Sequence, residues 1–441
     1  MGGGRFFGGV HPRYNKDLAA SKRIEEMPMP ARLVVHFAQN LGAPSKPVVK
    51  KGDTVLKGQV IAEAGGFVST PVHAPTSGTV ESIDLFPSPV GVDAPAAVIV
   101  PDGEDRWADG CNVERPGPEP DAEKIKEIVH DAGIVGMGGA TFPTHVKLSP
   151  PPEKKVDLLV INGAECEPFL TADHRLMVEQ AEGILDGAAL FAKVIGVSRV
   201  VVAIEKNKPD AIETMRRAAA SREGFSVEAM DVIYPQGAEK QLIFALTRRR
   251  VPAGGLPMDV GVLVQNVGTC FAAHEAVRRS IPLIRRVVTV TGAGVREPKN
   301  VLARIGTTFE DLIAFCGGLE DDAAKCINGG PMMGVAQYSL EAAVTKGTSG
   351  VVLLRRDQVG QFVSDPCIRC ARCVEACPMR LNPSMLSILA ERMRFEEAGA
   401  YNVMDCIECG CCAYVCPSRR PMVHHFRRAK AEVRKLQRKA G

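Results

Sequence analysis

Cys367-Ile-Arg-Cys370-Ala-Arg-Cys373-Val-Glu-Ala-Cys377-Pro378 recurs as Cys406-Ile-Glu-Cys409-Gly-Cys-Cys412-Ala-Tyr-Val-Cys416-Pro417. Each copy has the spacing C-x2-C-x2-C-x3-C-P, the bacterial run that binds [4Fe–4S] clusters. Three closely spaced thiolates close on one cube; the fourth, set apart and turned by a proline, reaches the neighbouring cube. The spacing therefore assigns Cys367, Cys370, Cys373 and Cys416 to a first cluster, and Cys406, Cys409, Cys412 and Cys377 to a second. Cys411 falls outside the pattern and reads as a non-ligand. Zinc usually needs only two cysteine pairs, and nothing in the sequence suggests the oxidising compartment that disulfides require.

The chain around these motifs has 441 residues, enough for about three domains, each with its own core. Nine of its 14 cysteines lie in the last 75 residues, which is metal usage rather than a disulfide framework. No apolar run approaches the length of a membrane span. The Met1-Gly-Gly-Gly-Arg-Phe-Phe7 start has no leader-like apolar core and reads as mature cytoplasmic sequence. The net charge of +3 hides an asymmetry, because residues 417–441 hold nine Lys/Arg and one Glu, a local +8. The rest has 45 basic and 50 acidic residues, or −5, so nucleic-acid binding is not expected.

From the N-terminus, residues 1–30 read as an irregular arm packed on a neighbour. Short β-branched segments at Val48–Ala62 and Ser69–Val80, parted by Gly-Asp and Ser-Gly turns, predict a small all-β unit. It resembles the biotinyl/lipoyl barrel-sandwich domain. Carriers of that family present a modifiable lysine four residues before the proline that corresponds to Pro71; here that position is Phe67, which implies a structural unit rather than a swinging arm. Residues 86–121 read as a connector containing one strand, Ala97–Val100, and the N-terminal unit is bounded at 1–120.

An Asp121-capped helix at about 122–132 opens a second domain, 121–285. Gly133, Gly136, Gly138 and Gly139 place four glycines in seven residues, allowing close backbone approach to a ligand and an anion-binding nest, with Lys147 adding charge. A buried-strand run ending at Asn162 leads into Gly163-Ala-Glu165-Cys-Glu167-Pro168, and open α/β sheets place ligands at strand C-termini. Strand–helix alternation continues to about residue 279, predicting a parallel sheet with Asn162, Glu165, Glu167, Tyr234, Glu239, Asn266 and Thr269 at strand ends. Residues 286–356 read as a short α+β domain, and 357–425 as an all-α two-cluster domain with helical spacers. The basic helix at 426–441 reads either as a solvated face or as a dock for an acidic subunit or anionic lipid.

Taken together, Gly8-Gly-Val-His-Pro12, Val72-His-Ala-Pro75, Gly138-Gly-Ala-Thr-Phe-Pro-Thr144, Asn162-Gly-Ala-Glu-Cys-Glu-Pro168, Tyr234-Pro-Gln-Gly-Ala-Glu-Lys-Gln241 and the two cysteine runs resemble the RnfC family, from the Rnf electron-transport complex, a membrane-bound ferredoxin:NAD oxidoreductase, over nearly the whole chain. The middle is similar to the flavin subunit of respiratory complex I, and 287–355 to its β-grasp, ubiquitin-like ligand-binding domain. The resemblance implies a multidomain α/β protein with two [4Fe–4S] clusters and FMN, with NAD(H) as substrate. It implies that Gly136, Gly138, Gly139 and Lys147 cradle the FMN phosphate and ribityl. Asn162, Glu165, Tyr234, Glu239, Asn266 and Thr269 would line the flavin, with Phe142 and Glu167 facing the nicotinamide nucleotide and Glu165 and Glu167 as the catalytic carboxylates. Ala164 and Met137 depart from the complex I pattern, which has an acid and an arginine there; complex I also carries a single four-cysteine cluster after this region. A nicotinamide exchanges two electrons as hydride and a cluster takes one, so a flavin between them converts pairs to singles. The expected partners are other subunits of a membrane complex, with ferredoxin reached indirectly, and the expected place is the cytoplasmic face of a bacterial inner membrane. The competing readings are a cobalamin reductase of diol-utilising microcompartments and a flavin-free iron–sulfur wiring subunit.

Overall fold

The computed structural model describes residues 5–115, 119–360 and 363–440; Met1–Gly4 and the Pro116-Gly-Pro118 stretch of the expected connector lie outside it. Near the N-terminus, a four-stranded sheet (Leu33–His36, Asp93–Pro101, Gly78–Pro87, Thr54–Val55, in spatial order) faces a three-stranded one (Lys46–Pro47, Val60–Glu63, Val72–His73). Leu33, Val35, Val55, Ile61, Val72, Val80 and Ile99 fill the space between them. Gly78 lies so close to the neighbouring strand that a Cβ would stand 2.1 Å from the Val100 carbonyl oxygen. The first part of the expected connector is a hairpin arm instead, the strand expected at Ala97–Val100 extending over Asp93–Pro101 antiparallel to Gly78–Pro87. Its prolines mislead because Pro87 and Pro89 flank the turn, while Pro95 lies past the stretch paired with Leu33–His36 and has no ladder bond to donate on that side.

The second unit is the parallel sheet that the alternation predicts, in the order Phe225–Met230, Val200–Glu205, Leu158–Gly163, Val262–Asn266. Val200–Glu205 is buried at every position, as a central strand covered on both faces should be. The chain leaves Leu158–Gly163, adds two strands on one side, then returns to add Val262–Asn266 on the other. The strand order thus reverses between Leu158–Gly163 and Val262–Asn266, creating a crevice at their C-terminal ends. Helices Ala181–Ile195 and Val267–Arg279 cross so closely that a Cβ on Gly187 would meet the Cys270 carbonyl oxygen at 1.9 Å.

A mixed six-stranded sheet follows, built on Arg285–Thr291, Lys299–Arg304, Ala323–Asn328 and Gly350–Arg355, with the Phe309–Phe315 helix capped by the Thr308 side chain. The N-terminal arm packs on this same chain: Ile24–Glu26 joins the sheet as a parallel edge strand beside Asn300–Leu302.

The cysteine runs lie among short helices (Arg372–Ala376, Pro383–Glu391, Phe395–Ala400, Cys411–Tyr414) and the long Met422–Ala440 helix. That last helix begins inside the cluster unit. Met422, Phe426, Ala429 and Val433 form one apolar stripe against Leu386, Leu389 and Ala398. Each large side chain buried there contributes roughly 1.5–3 kcal/mol, so the basic segment is anchored by its apolar face. Beyond Val433, Arg434, Lys435 and Arg438 are exposed. Among the described residues no helix is long and apolar enough to cross a membrane.

Candidate functional site

Asn162 and Asn266 are register partners at the ends of the two strands that flank the crevice. Asn266 caps the following helix, its Oδ1 accepting from the Gly268 and Thr269 amides at 2.8 and 3.4 Å. Its Nδ2 donates to Asp173 Oδ2 at 2.7 Å. Asn162 donates to the Gly237 carbonyl at 2.9 Å and accepts from the Ala164 amide at 3.1 Å, tying two strand-end loops together.

The glycine-rich loop folds over this pair. The Gly136 amide donates to Phe142 O at 2.8 Å and Met137 N to Thr269 Oγ1 at 2.9 Å, which fixes both ends of the turn. Gly138, Gly139 and Ala140 are exposed between them. Gly139 adopts φ +121, which side chains avoid, and no protein atom lies within 4 Å of where its Cβ would be. The open backbone, the polar strand ends and the Lys147 charge suit a phosphorylated cofactor laid across the crevice. At its rim Lys147 Nζ pairs with Glu239 Oε1 at 2.6 Å, a half-exposed bond of little stabilising value that a bound anion could replace.

Glu165 and Glu167 lie behind the pocket. Glu165, at φ 45, turns its carboxylate to the Asp173 and His174 amides at 2.8 and 3.2 Å, capping the Ala172–Glu179 helix. Burial, then the Glu165 charge, pushes the Asp173 carboxyl well above its ordinary range, while its bond from Asn266 acts the other way. Glu167 is half-buried, accepting from Met332 N at 3.1 Å and Tyr234 OH at 3.3 Å; loss of solvent around the carboxyl raises its pKa to about 7. Gly330 is backed so tightly on it that a Cβ would lie 2.2 Å from Oε2.

Two lysines that the sequence did not flag hold this loop. Lys16 Nζ, from the N-terminal arm, donates to the carbonyls of Glu165, Glu167 and Leu170 at 2.8, 2.9 and 2.5 Å. Burial, and next the Lys208 charge, lowers its pKa to about 8. Lys208 Nζ bonds Ala164 O at 2.6 Å and Glu205 Oε2 at 3.1 Å, and neither side chain is exposed. Only the pattern of a lysine just before a helical proline, Lys208-Pro209, could have hinted at it.

The thiols fall into two neighbourhoods. Burial, followed by the Cys416 and Cys367 thiols, raises the Cys373 thiol. Burial, followed by the Cys409, Cys406 and Cys377 thiols, raises that of Cys412. One cavity is lined by Cys377, Cys406, Cys409 and Cys412 together, walled by Pro378, Leu386, Ile407 and Phe426. Cys377 thus lies with the second run and Cys416 with the first, the crossed arrangement that the spacing implies. Four thiols around one cavity are the donor set that an iron–sulfur cube takes. Cys411 is buried beside Cys409, and its S–H donates to the Tyr234 carbonyl at 3.9 Å.

Pocket and thiols meet at Tyr234, whose hydroxyl donates to the Cys409 carbonyl at 2.8 Å. The arm threads the same joint. Val10 and Tyr234 exchange backbone bonds at 2.8 and 2.9 Å, and Gly9 N bonds Ala376 O at 3.0 Å. Added Cβ atoms on Gly8 and Gly9 would each meet a backbone oxygen at 2.8 Å, which explains the paired glycines of the arm.

Comparison with known proteins agrees with this layout. Residues 4–104 match the RnfC barrel sandwich hybrid domain, 129–275 the Nuo51 FMN-binding domain, 287–336 the SLBB domain and 361–417 the 4Fe-4S dicluster domain. The C subunit of the proton-translocating ferredoxin:NAD(+) oxidoreductase complex of Clostridium ljungdahlii is 51% identical, over 97% of this chain and 94% of its own length. Its counterpart in the Na(+)-translocating complex of Acetobacterium woodii is 44% identical, covering 98% and 97%. That of the ion-translocating oxidoreductase complex of Rhodobacter capsulatus is 46% identical, covering 98% and 83%. The chain belongs to the RnfC family, the C subunits of these ion-translocating oxidoreductase complexes.

Proposed function

We propose that this chain is the NAD(H)-reactive, peripheral electron-transfer subunit of a membrane-bound ferredoxin:NAD+ oxidoreductase, held on the cytoplasmic face by other subunits and reached by ferredoxin through one of them. The observation that carries the reading is the contact of Tyr234 with Cys409, which joins a nucleotide crevice directly to a thiol set. Bound FMN supplies hydride exchange with a nicotinamide and single-electron exchange with iron–sulfur clusters. Gly136, Gly138 and Gly139 offer backbone to its phosphate and ribityl, and Lys147 offers the countercharge. Asn162, Asn266 and Glu239 line its ring system, with the buried Thr269 and Tyr234 supporting the crevice from beneath. Phe142 and the open side of the loop face the dinucleotide, while Glu165 and Glu167 act from behind, fixing the loop and Tyr234. The inner thiol set, Cys377, Cys406, Cys409 and Cys412, adjoins the crevice. The outer set, Cys367, Cys370, Cys373 and Cys416, includes the exposed Cys370 and exchanges single electrons with the partner. In this reading residues 121–285 form the nucleotide domain, 286–356 a β-grasp unit and 357–425 the dicluster domain.

The test is anaerobic reconstitution of the full chain with FMN, iron and sulfide, followed by NADH. Bleaching of the flavin band with reduction of both clusters is expected. Iron bound without flavin or any response to NADH would reduce the chain to a wire, and corrinoid reduction would favour the cobalamin reductase reading.

A further inference from the structure

Phe67 lies at the tip of the hairpin between Val60–Glu63 and Val72–His73, and the residue is 71% exposed. Its backbone is nevertheless fixed. Ala43 N donates to Val68 O at 3.0 Å and Gly65 N to Ser69 Oγ at 2.9 Å. A Cβ on Gly42 would stand 2.1 Å from Val68 O, and one on Gly65 2.1 Å from Pro44 O, so the two barrel turns are pressed together. This rigid tip is bonded to the pocket. His145 Nε2 lies 3.1 Å from Phe67 O, and the two rings meet edge to face at 6.0 Å, with His130 behind His145 at 4.6 Å. The adjacent barrel turn reaches the glycine-rich loop, where Leu41 N donates to Thr141 O at 3.0 Å. The exposed Gly138–Ala140 backbone and Lys147 are therefore flanked by a preorganised aromatic face that belongs to another domain.

We propose that Phe67 is the platform on which the adenine of the dinucleotide stacks, so that the barrel-sandwich unit forms the outer wall of the NAD(H) site. The inference rests on the proposed NAD(H) reactivity. An exposed aromatic held by its backbone loses little freedom on binding, and every base offers a π-face to it. At this tip phenylalanine offers a flat apolar surface beside the glycine-rich loop, fixed by the bonds of its own backbone.

The experiment uses the full chain loaded with FMN and clusters, and compares wild type with Phe67→Ala, Phe67→Leu and Phe67→Trp. ADP-ribose, which lacks the nicotinamide, is titrated by calorimetry. Affinity should fall about tenfold in the Ala and Leu variants and return in Trp, the size expected for one lost base stack. The KM for NADH should rise by a similar factor with kcat held, whereas oxidation of reduced nicotinamide mononucleotide, which has no adenine, should not change. Equal ADP-ribose affinity in wild type and Phe67→Ala overturns the platform, as does an equal loss with the mononucleotide. If wild type itself fails to oxidise NADH, the proposed function falls first; if it succeeds and only the ADP-ribose difference is missing, this inference falls alone.

Discussion

The Tyr234 hydroxyl donates to the Cys409 carbonyl at 2.8 Å and lies 3.3 Å from the Glu167 carboxylate. One hydroxyl proton cannot serve both acceptors fully, and the shorter bond goes to the cluster loop. Tyr234 is completely buried, so its ring fills the joint between crevice and thiols while its oxygen aligns the Cys409 backbone. Tyr234→Phe keeps the ring and removes the bond. Flavin and iron content should persist, stability should fall by about 1 kcal/mol, and reduction of the inner cluster by NADH should slow. Urea titration and freeze-quench EPR check the two parts.

The crossed thiol neighbourhoods make a paired prediction. Cys416→Ser should damage the cluster that contains Cys367, Cys370 and Cys373, whereas Cys377→Ser should damage the other. EPR of each variant after anaerobic reconstitution decides it; the opposite assignment would reject cross-ligation.

Lys16 holds three loop carbonyls with one ammonium. Lys16→Met keeps the aliphatic stem and leaves those buried acceptors without their donor, at a cost of about 2–3 kcal/mol. Because the loop runs directly from the Asn162 strand end, bound flavin should also be lost more readily. Thermal unfolding and flavin retention on gel filtration measure these effects.

Burial raises the Glu167 pKa from 4.5 to about 7, so the folded chain binds more protons than the unfolded one between those values. Stability from this group is therefore present at low pH and is lost as pH rises towards 7 and above. Glu167→Gln should flatten the fall in stability between pH 5 and 7 by on the order of 2 kcal/mol. Urea midpoints of wild type and variant across that range provide the comparison, and parallel curves would exclude Glu167 as the source.

The elements that sequence made legible are those whose chemistry is local. Cysteine spacing marks both thiol sets because a cube takes three ligands from a single run, and Asn162 and Asn266 stand out because each follows a buried β-branched run. The Gly78–Pro101 hairpin was hidden by prolines whose tolerance depends on which flank of a strand is paired. Lys16 could not be read, since its acceptors lie 149 to 154 residues away and nothing near it announces a buried charge. Asp173 looks like any acid in a first helical turn, and only the fold puts it against Asn266.

Residues 9–26 reach across the molecule: Gly9 to the cluster unit, Val10 to the Tyr234 backbone, Lys16 to the acidic loop and Ile24–Glu26 to the six-stranded sheet. The bonding partners of this arm lie far downstream in the chain, so these contacts cannot all form before the cluster unit has left the ribosome. An amino-terminally clipped polypeptide would lose backbone bonds at the cluster unit, the buried lysine of the acidic loop and an edge strand in one cut.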